Sequence, residues 1–151
     1  MSGTRRSRSA DGGDAVTQLI LETFRLNGRL LAAGDELVAD VGLTSARWQV
    51  LGAMAASSVA IPVAHIARNM GLSRQAVQRL VNEMEADGLV SFALNPHHER
   101  AKLVVMTNRG KWVLRAAMER QGPWAKELAK RLRPDEIQAT VRVLRMLRER
   151  L

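Results

Sequence analysis

Five polar side chains recur along one stretch at helical spacing: Arg74, Gln75, Gln78, Arg79 and Asn82. At 100° per residue they gather on one side of a helix, with Arg74 at its N-terminal edge. Ala76, Val77, Leu80, Val81 and Met84 gather on the other side. The polar groups suit base-edge readout, since amides pair bidentately with adenine and guanidinium groups with guanine in the major groove. The charge order agrees. Arg74 and Arg79 lie in the N-terminal half, whereas Glu83, Glu85 and Asp87 lie towards the C-terminus. The helix dipole favours the reverse by ~0.3–1 kcal/mol per exposed charge. A helix whose N-terminus sits between phosphates needs this order. The plainer alternative is an ordinary solvated face on a helical hairpin.

The flanking residues supply the frame. An apolar-periodic helix ends at Met70, Gly71 permits a sharp turn, and Ser73 caps the next helix. This is a helix-turn-helix over residues 63–84. Ala67 sits at the close approach, and Ile66, Met70, Leu72, Val77 and Leu80 are expected to form the small core between the helices. Gly88 closes the second helix. Leu89–Leu94 and Lys102–Met106 read as two strands joined by residues 95–101, a wing.

Upstream, Asp14–Asp40 is helical, with Gly28 and Gly34 marking a kink or a close contact. Thr44 caps a helix through about Met54. Residues 57–61 are expected as a short strand, and Pro62 suits the first turn of the next helix. Downstream, Thr107 caps a helix to about Arg131, with a kink or break expected at Gly122-Pro123. Pro134 opens a last helix whose stripe is Ile137, Val141, Leu144, Leu147 and Leu151. The long first helix and the last two carry more apolar surface than a small winged core can bury. Closure in a twofold dimer is the simplest outcome; the alternative is that these helices fold back on their own chain.

Composition narrows the classes. The 151 residues carry a formal charge of +8, which suggests nucleic acid or an anionic surface. Part of that excess lies in residues 1–13, a small polar basic tail with Arg5, Arg6 and Arg8, expected to be disordered. There is no cysteine, hence no thiol chemistry; this fits a reducing cytoplasm without requiring it. No apolar run reaches the ~20 residues of a membrane span, and the N-terminal arginines lack the apolar core of a signal peptide. His65, His97 and His98, with Glu99, have poor ligand spacing, so no metal and no cofactor are expected. No phosphate loop and no nucleophile–base set can be assembled, so an enzyme is not expected. Trp48, Trp112 and Trp124 sit at core spacing, but Trp48 with Phe24 is a candidate aromatic wall for a small effector. The seven methionines suit either a core or an adaptable pocket.

Four ordered segments resemble the MarR family of bacterial transcriptional regulators: Leu43-Thr-Ser-Ala-Arg-Trp-Gln-Val-Leu51, the helix-turn-helix from Ile66 to Leu80, the wing from Asn95 to Val104, and Met106-Thr-Asn-Arg-Gly110. The resemblance implies a homodimer built on its terminal helices, a palindromic operator, and a small aromatic or amphipathic effector held between two lobes. It implies DNA contacts at Ser73, Arg74, Gln75, Gln78 and Arg79, with Arg100 as the wing arginine; Lys102 beside it is expected to hold the backbone. One departure stands out. The family wing places an acid two residues before its arginine, whereas here His98 occupies that place and Glu99 follows. The acidic brace is either absent or supplied by Glu99 from another geometry, and titration of His97 and His98 is expected to make wing binding pH-sensitive.

The expected fold is therefore mainly α with a small β-wing, a winged helix-turn-helix with dimerisation helices at both ends. Its parts are a tail (1–13), an N-terminal dimerisation helix (14–40), the DNA-binding domain (41–107) and C-terminal dimerisation helices (108–151). The expected function is a sequence-specific, homodimeric DNA-binding repressor. The competing classes are a winged-helix module that binds protein and a non-specific DNA-coating protein.

Overall fold

The computed structural model describes residues 12–151. In them the elements follow as α1 (Gly12–Val38), α2 (Ser45–Ala55), β1 (Ile61–Pro62), α3 (Val63–Met70), α4 (Arg74–Ala86), β2 (Val90–Ala93), β3 (Leu103–Met106), α5 (Asn108–Leu128) and α6 (Pro134–Arg150), with a 3-10 turn at Ala39–Val41. The basic tail lies outside the described residues except for Gly12 and Gly13, which open α1 rather than precede it.

Helix α1 runs unbroken through both glycines. Gly34 is the close contact: a Cβ there would collide with the Ser45 hydroxyl. That hydroxyl donates to the Leu31 carbonyl at 2.7 Å, and the Ser45 N–H donates to Asp35 Oδ1 at 2.6 Å. The start of α2 is thereby fastened to α1, with Thr44 accepting from the Arg47 N–H as its cap.

The core joins Val50, Leu51 and Met54 of α2 to Ile66 of α3, Val77, Val81 and Met84 of α4, Val104 of β3, and Val113 and Leu114 of α5. Each such side chain contributes about 1.5–3 kcal/mol when fully buried. The sheet is antiparallel in the order β1-β3-β2. Strand β1 is shorter and later than residues 57–61, pairing Ile61 with Val104 and Pro62 with Leu103. Pro62 is extended (φ −77°, ψ 163°) and precedes α3 rather than entering its first turn. Lacking an N–H, it is tolerated because β1 is an edge strand.

The helix-turn-helix closes by hydrogen bonds. Gly71 takes a φ of 65°, its N–H donates to the Arg68 carbonyl, and the Leu72 N–H reaches back to the Ala67 carbonyl at 3.0 Å. Ser73 Oγ then accepts from the Ala76 N–H. Leu72 is 48% exposed and is not part of the small core; its backbone makes the turn while its side chain faces out. Ala76 is exposed as well.

The end of α4 meets the start of α5 at one place. Leu89 N–H donates to the Met84 carbonyl at 2.9 Å, past Gly88 at φ 75°. Thr107 Oγ1 donates to the Gly88 carbonyl at 2.7 Å and accepts from the Gly110 N–H. Gly110 is buried, and a Cβ there would collide with the Leu89 carbonyl. The Thr-x-x-Gly run is thus a cap plus a close approach.

Gly122-Pro123 does not break α5, which continues to Leu128, short of the expected Arg131. Pro123 cannot donate to the Glu119 carbonyl, but Glu119 is exposed, so water can satisfy it. Helix α6 starts at Pro134 as expected and buries none of its residues; it does not fold back on the core of its own chain. Of α1, only Gly34 and Val38 are buried, and Phe24 is 71% exposed.

Gly110→Ala is expected to lower stability by about 1–3 kcal/mol, the usual cost of overpacking against backbone. Denaturant midpoints check this; an unchanged midpoint would refute the close approach at Leu89.

Candidate nucleic-acid interface

Helix α4 presents every fourth residue, Arg74, Gln78 and Asn82, to a groove of about 760 Å³. The opposite wall comes from the wing, through Phe92, Glu99, Arg100 and Lys102, and the floor from Pro62–Ala64 at the start of α3. Gln78 Nε2 donates to Asn82 Oδ1 at 2.9 Å, which fixes the orientation of the Gln78 amide. The residues expected to contact DNA therefore divide. Arg74, Gln78, Arg100 and Lys102 converge on the groove. Gln75 and Arg79 are exposed and are not in its wall, and Ser73 is the exposed cap of α4. Sequence reasoning put Asn82 on the outer face but missed its pairing with Gln78, although the i, i+4 spacing signals it.

The wing is held by one residue that the sequence reading passed over. Asn95 Oδ1 accepts from the His97 N–H at 3.0 Å, and Asn95 Nδ2 donates to the Ala101 carbonyl at 2.9 Å. Backbone bonds from His98 to Asn95 and from Ala101 to His98 complete the loop. An asparagine before proline is the sequence signal for such a turn. Lys102 Nζ lies 6.0 Å from the centre of the Phe92 ring, within cation–π reach. Among the described residues Arg100 makes no ion pair, so Glu99 does not supply the acidic brace. His97 and His98 are exposed on the loop.

Two of the three acids towards the end of α4, Glu83 and Asp87, share a partner. Arg47 of α2 pairs with Asp87 at 2.7 Å and approaches Glu83 at 4.0 Å. The acidic C-terminal end therefore braces α2, which explains it without DNA; the basic N-terminal end has no such explanation. Away from the groove, Arg120 grips Asp40 at 3.0 and 2.5 Å, joining the end of α1 to α5. The hydrogen bonds from Arg120 hold the Asp40 carboxyl below its ordinary value, and Asp40 raises that of Arg120.

A second cavity, about 850 Å³, lies between the end of α2, the turn at Ser57–Ala60, the sheet and α5. Neither Phe24 nor Trp48 is in its wall. Trp48 is half-buried against the core and Phe24 stands in solvent on α1, so the expected aromatic pair does not line this cavity. Core packing takes Trp48, as its helical spacing allows. Met54, Met106 and Met118 line the cavity instead. Among the described residues no group of three or more His, Asp or Glu could hold a metal ion, and no helix is long and apolar enough to cross a membrane.

The sequence profile of the MarR family matches residues 41–101. An uncharacterised protein of Mycobacterium tuberculosis is 36% identical over 134 residues, covering 89% of this chain and 92% of that protein. The transcriptional activatory protein BadR of Rhodopseudomonas palustris is 31% identical over 119 residues, covering 75% of this chain and 68% of that protein. A mutant MarR of E. coli complexed with operator DNA has a similar fold, with a TM-score of 0.77 at 20% identity over 91% of this chain and 98% of that one.

Asn95→Ala is expected to speed amide exchange across residues 97–101 and to weaken DNA binding by about five- to thirtyfold, the worth of one or both of its hydrogen bonds at ~1 kcal/mol each. Unchanged exchange in the variant would show that the loop does not depend on this side chain.

Proposed function

Because the chain belongs to the MarR family of DNA-binding transcriptional regulators, we propose that it reads a palindromic operator as a homodimer through α4 and the wing. The observation that carries this is the convergence of Arg74 and Gln78 with Arg100 and Lys102 on one groove. Two copies of α4 enter successive major grooves ~34 Å apart. Arg74, Gln75 and Gln78 read bases, Arg79 and Lys102 hold the backbone, and Arg100 reaches the minor groove. Ser73 presents the N-terminus of α4 to phosphate.

The dimer is supported by the apolar surface that the chain leaves in water. Ile20, Leu21, Phe24 and Leu30 on α1 and Ile137, Leu144 and Met146 on α6 are all exposed. At about 1.5–3 kcal/mol per fully buried side chain, covering these residues offsets an association cost of roughly 4–15 kcal/mol.

Glu85 and Glu99 also line the groove. A surface meant only to coat phosphate would not place carboxylates there, which favours operator selection over non-specific binding. A purely protein-binding module would not need Arg74 and Gln78 beside a basic wing. Binding represses, and a small aromatic or amphipathic effector releases the operator by fitting the non-binding conformation better. The name of the Rhodopseudomonas relative makes activation the second reading; a promoter–reporter assay with and without the gene separates the two.

Gln78→Ala and Asn82→Ala are expected to relax preference at the same operator base pair in a binding-site selection. Lys102→Ala is expected to weaken all sequences alike and reduce the salt slope by about 1. Intact preference in Gln78→Ala would refute base readout by this face.

A further inference from the structure

We propose that the notch between α2, the end of α3 and the end of α6 binds the phosphate group of a small phosphomonoester. The notch shares no wall residue with the DNA groove or with the cavity behind the sheet, and its role does not depend on how the operator is read.

Three helices build it. Gln49 and Ala53 are one turn apart on the outer face of α2. Arg68, Asn69 and Met70 are the last residues of α3, and Arg148 comes from the last turn of α6. The notch holds about 640 Å³, within the roughly 300–1,000 Å³ of small-molecule sites. A phosphate group fills only a small part of that, so an organic body has room beside it. Ala53 carries nothing beyond its Cβ to fill the space, and Met70 offers a half-buried, adaptable thioether.

The charge is one-sided. A basic residue in the last turn suits the helix dipole, and this accounts for Arg68 and Arg148 singly. It does not account for their meeting at one notch, where like charges repel. Neither makes an ion pair among the described residues, and among those residues the wall holds no carboxylate. The DNA groove, by contrast, holds Glu85 and Glu99, and the cavity behind the sheet holds Glu119. Both arginines are exposed, so an anion reaches them without displacing a partner.

The donors fit phosphate. A guanidinium fork matches the oxygens of a phosphate bidentately, and the amides of Gln49 and Asn69 add further N–H donors. With its second pKa near 6, a phosphomonoester carries about −1.5 to −2 charges at pH 7, which balances two arginines. A phosphodiester carries one charge and balances one. The bound ligand joins the end of α6, which buries none of its residues within the chain, to the end of α3.

The test is calorimetric titration of the full-length protein at about pH 8, where a monoester is a dianion. The probes are phenyl phosphate, a monoester, and methyl phenyl phosphate, a diester. Phenyl phosphate is expected to bind the natural chain about tenfold or more tighter than the diester, the scale of a charge-assisted hydrogen bond. Arg68→Gln and Arg148→Gln are each expected to weaken it by about the same factor. Arg145→Gln, which removes an equal charge from α6 outside the notch, is expected to leave it unchanged. In the natural chain phenyl phosphate is expected to slow amide exchange at both Met70 and Arg148. Absence of phenyl phosphate binding, an equal loss in Arg145→Gln, or unchanged exchange at either helix end overturns the site. Equal affinity for the two esters overturns the monoester class. Weaker operator binding in Arg68→Gln and Arg148→Gln, with no binding of phenyl phosphate to the natural chain, overturns the proposal in favour of the DNA backbone as the source of phosphate.

Discussion

The arrangement depends on the contact between the Leu89 carbonyl and the start of α5. Three parts meet there: the end of α4, the first strand of the wing, and the long helix leading towards the C-terminus. The Leu89 N–H closes α4 on Met84, and its carbonyl accepts from the Thr107 N–H at 3.1 Å. Gly110 lets the α5 backbone lie against that carbonyl. A side chain at 110 would push α5 away and carry the wing strands with it. The junction thus ties the end of α4, the start of β2 and the start of α5 to one carbonyl.

Electrostatics divides α4 into two halves with different work. The acidic end binds Arg47, a partly buried guanidinium, and so locks α4 to α2. Among the described residues Arg74 and Arg79 make no ion pair, and Arg74 opens on the groove. Charge order along the helix is therefore a weaker pointer to DNA than it looks, since half of it has an internal cause. The convergence of α4 with the wing is the stronger one, because it joins residues more than twenty positions apart in the chain, such as Gln78 and Lys102, into one surface.

Much of this was legible from local rules. Ser73, Thr44 and Thr107 were readable as caps, Gly71 and Gly88 as helix ends, and Pro134 as a helix start, because each depends on hydrogen bonds within a few residues. The misses are tertiary. Leu72 faces out because the turn uses its backbone. Pro62 joins a strand by pairing with Leu103, too far along the chain for local rules to show. Met54, Met106 and Met118 come from three different elements, so only the folded chain brings them to one cavity wall. Asn95 was passed over because its two hydrogen bonds across the loop form only once the loop has folded.

The most direct measurement is a hydroxyl-radical footprint on an operator selected from random DNA. A dimer reading through α4 and the wing predicts two symmetric protected half-sites about one helical turn apart, with flanking protection that disappears in Arg100→Ala. A single unsymmetrical patch, or even protection along the whole fragment, would contradict it.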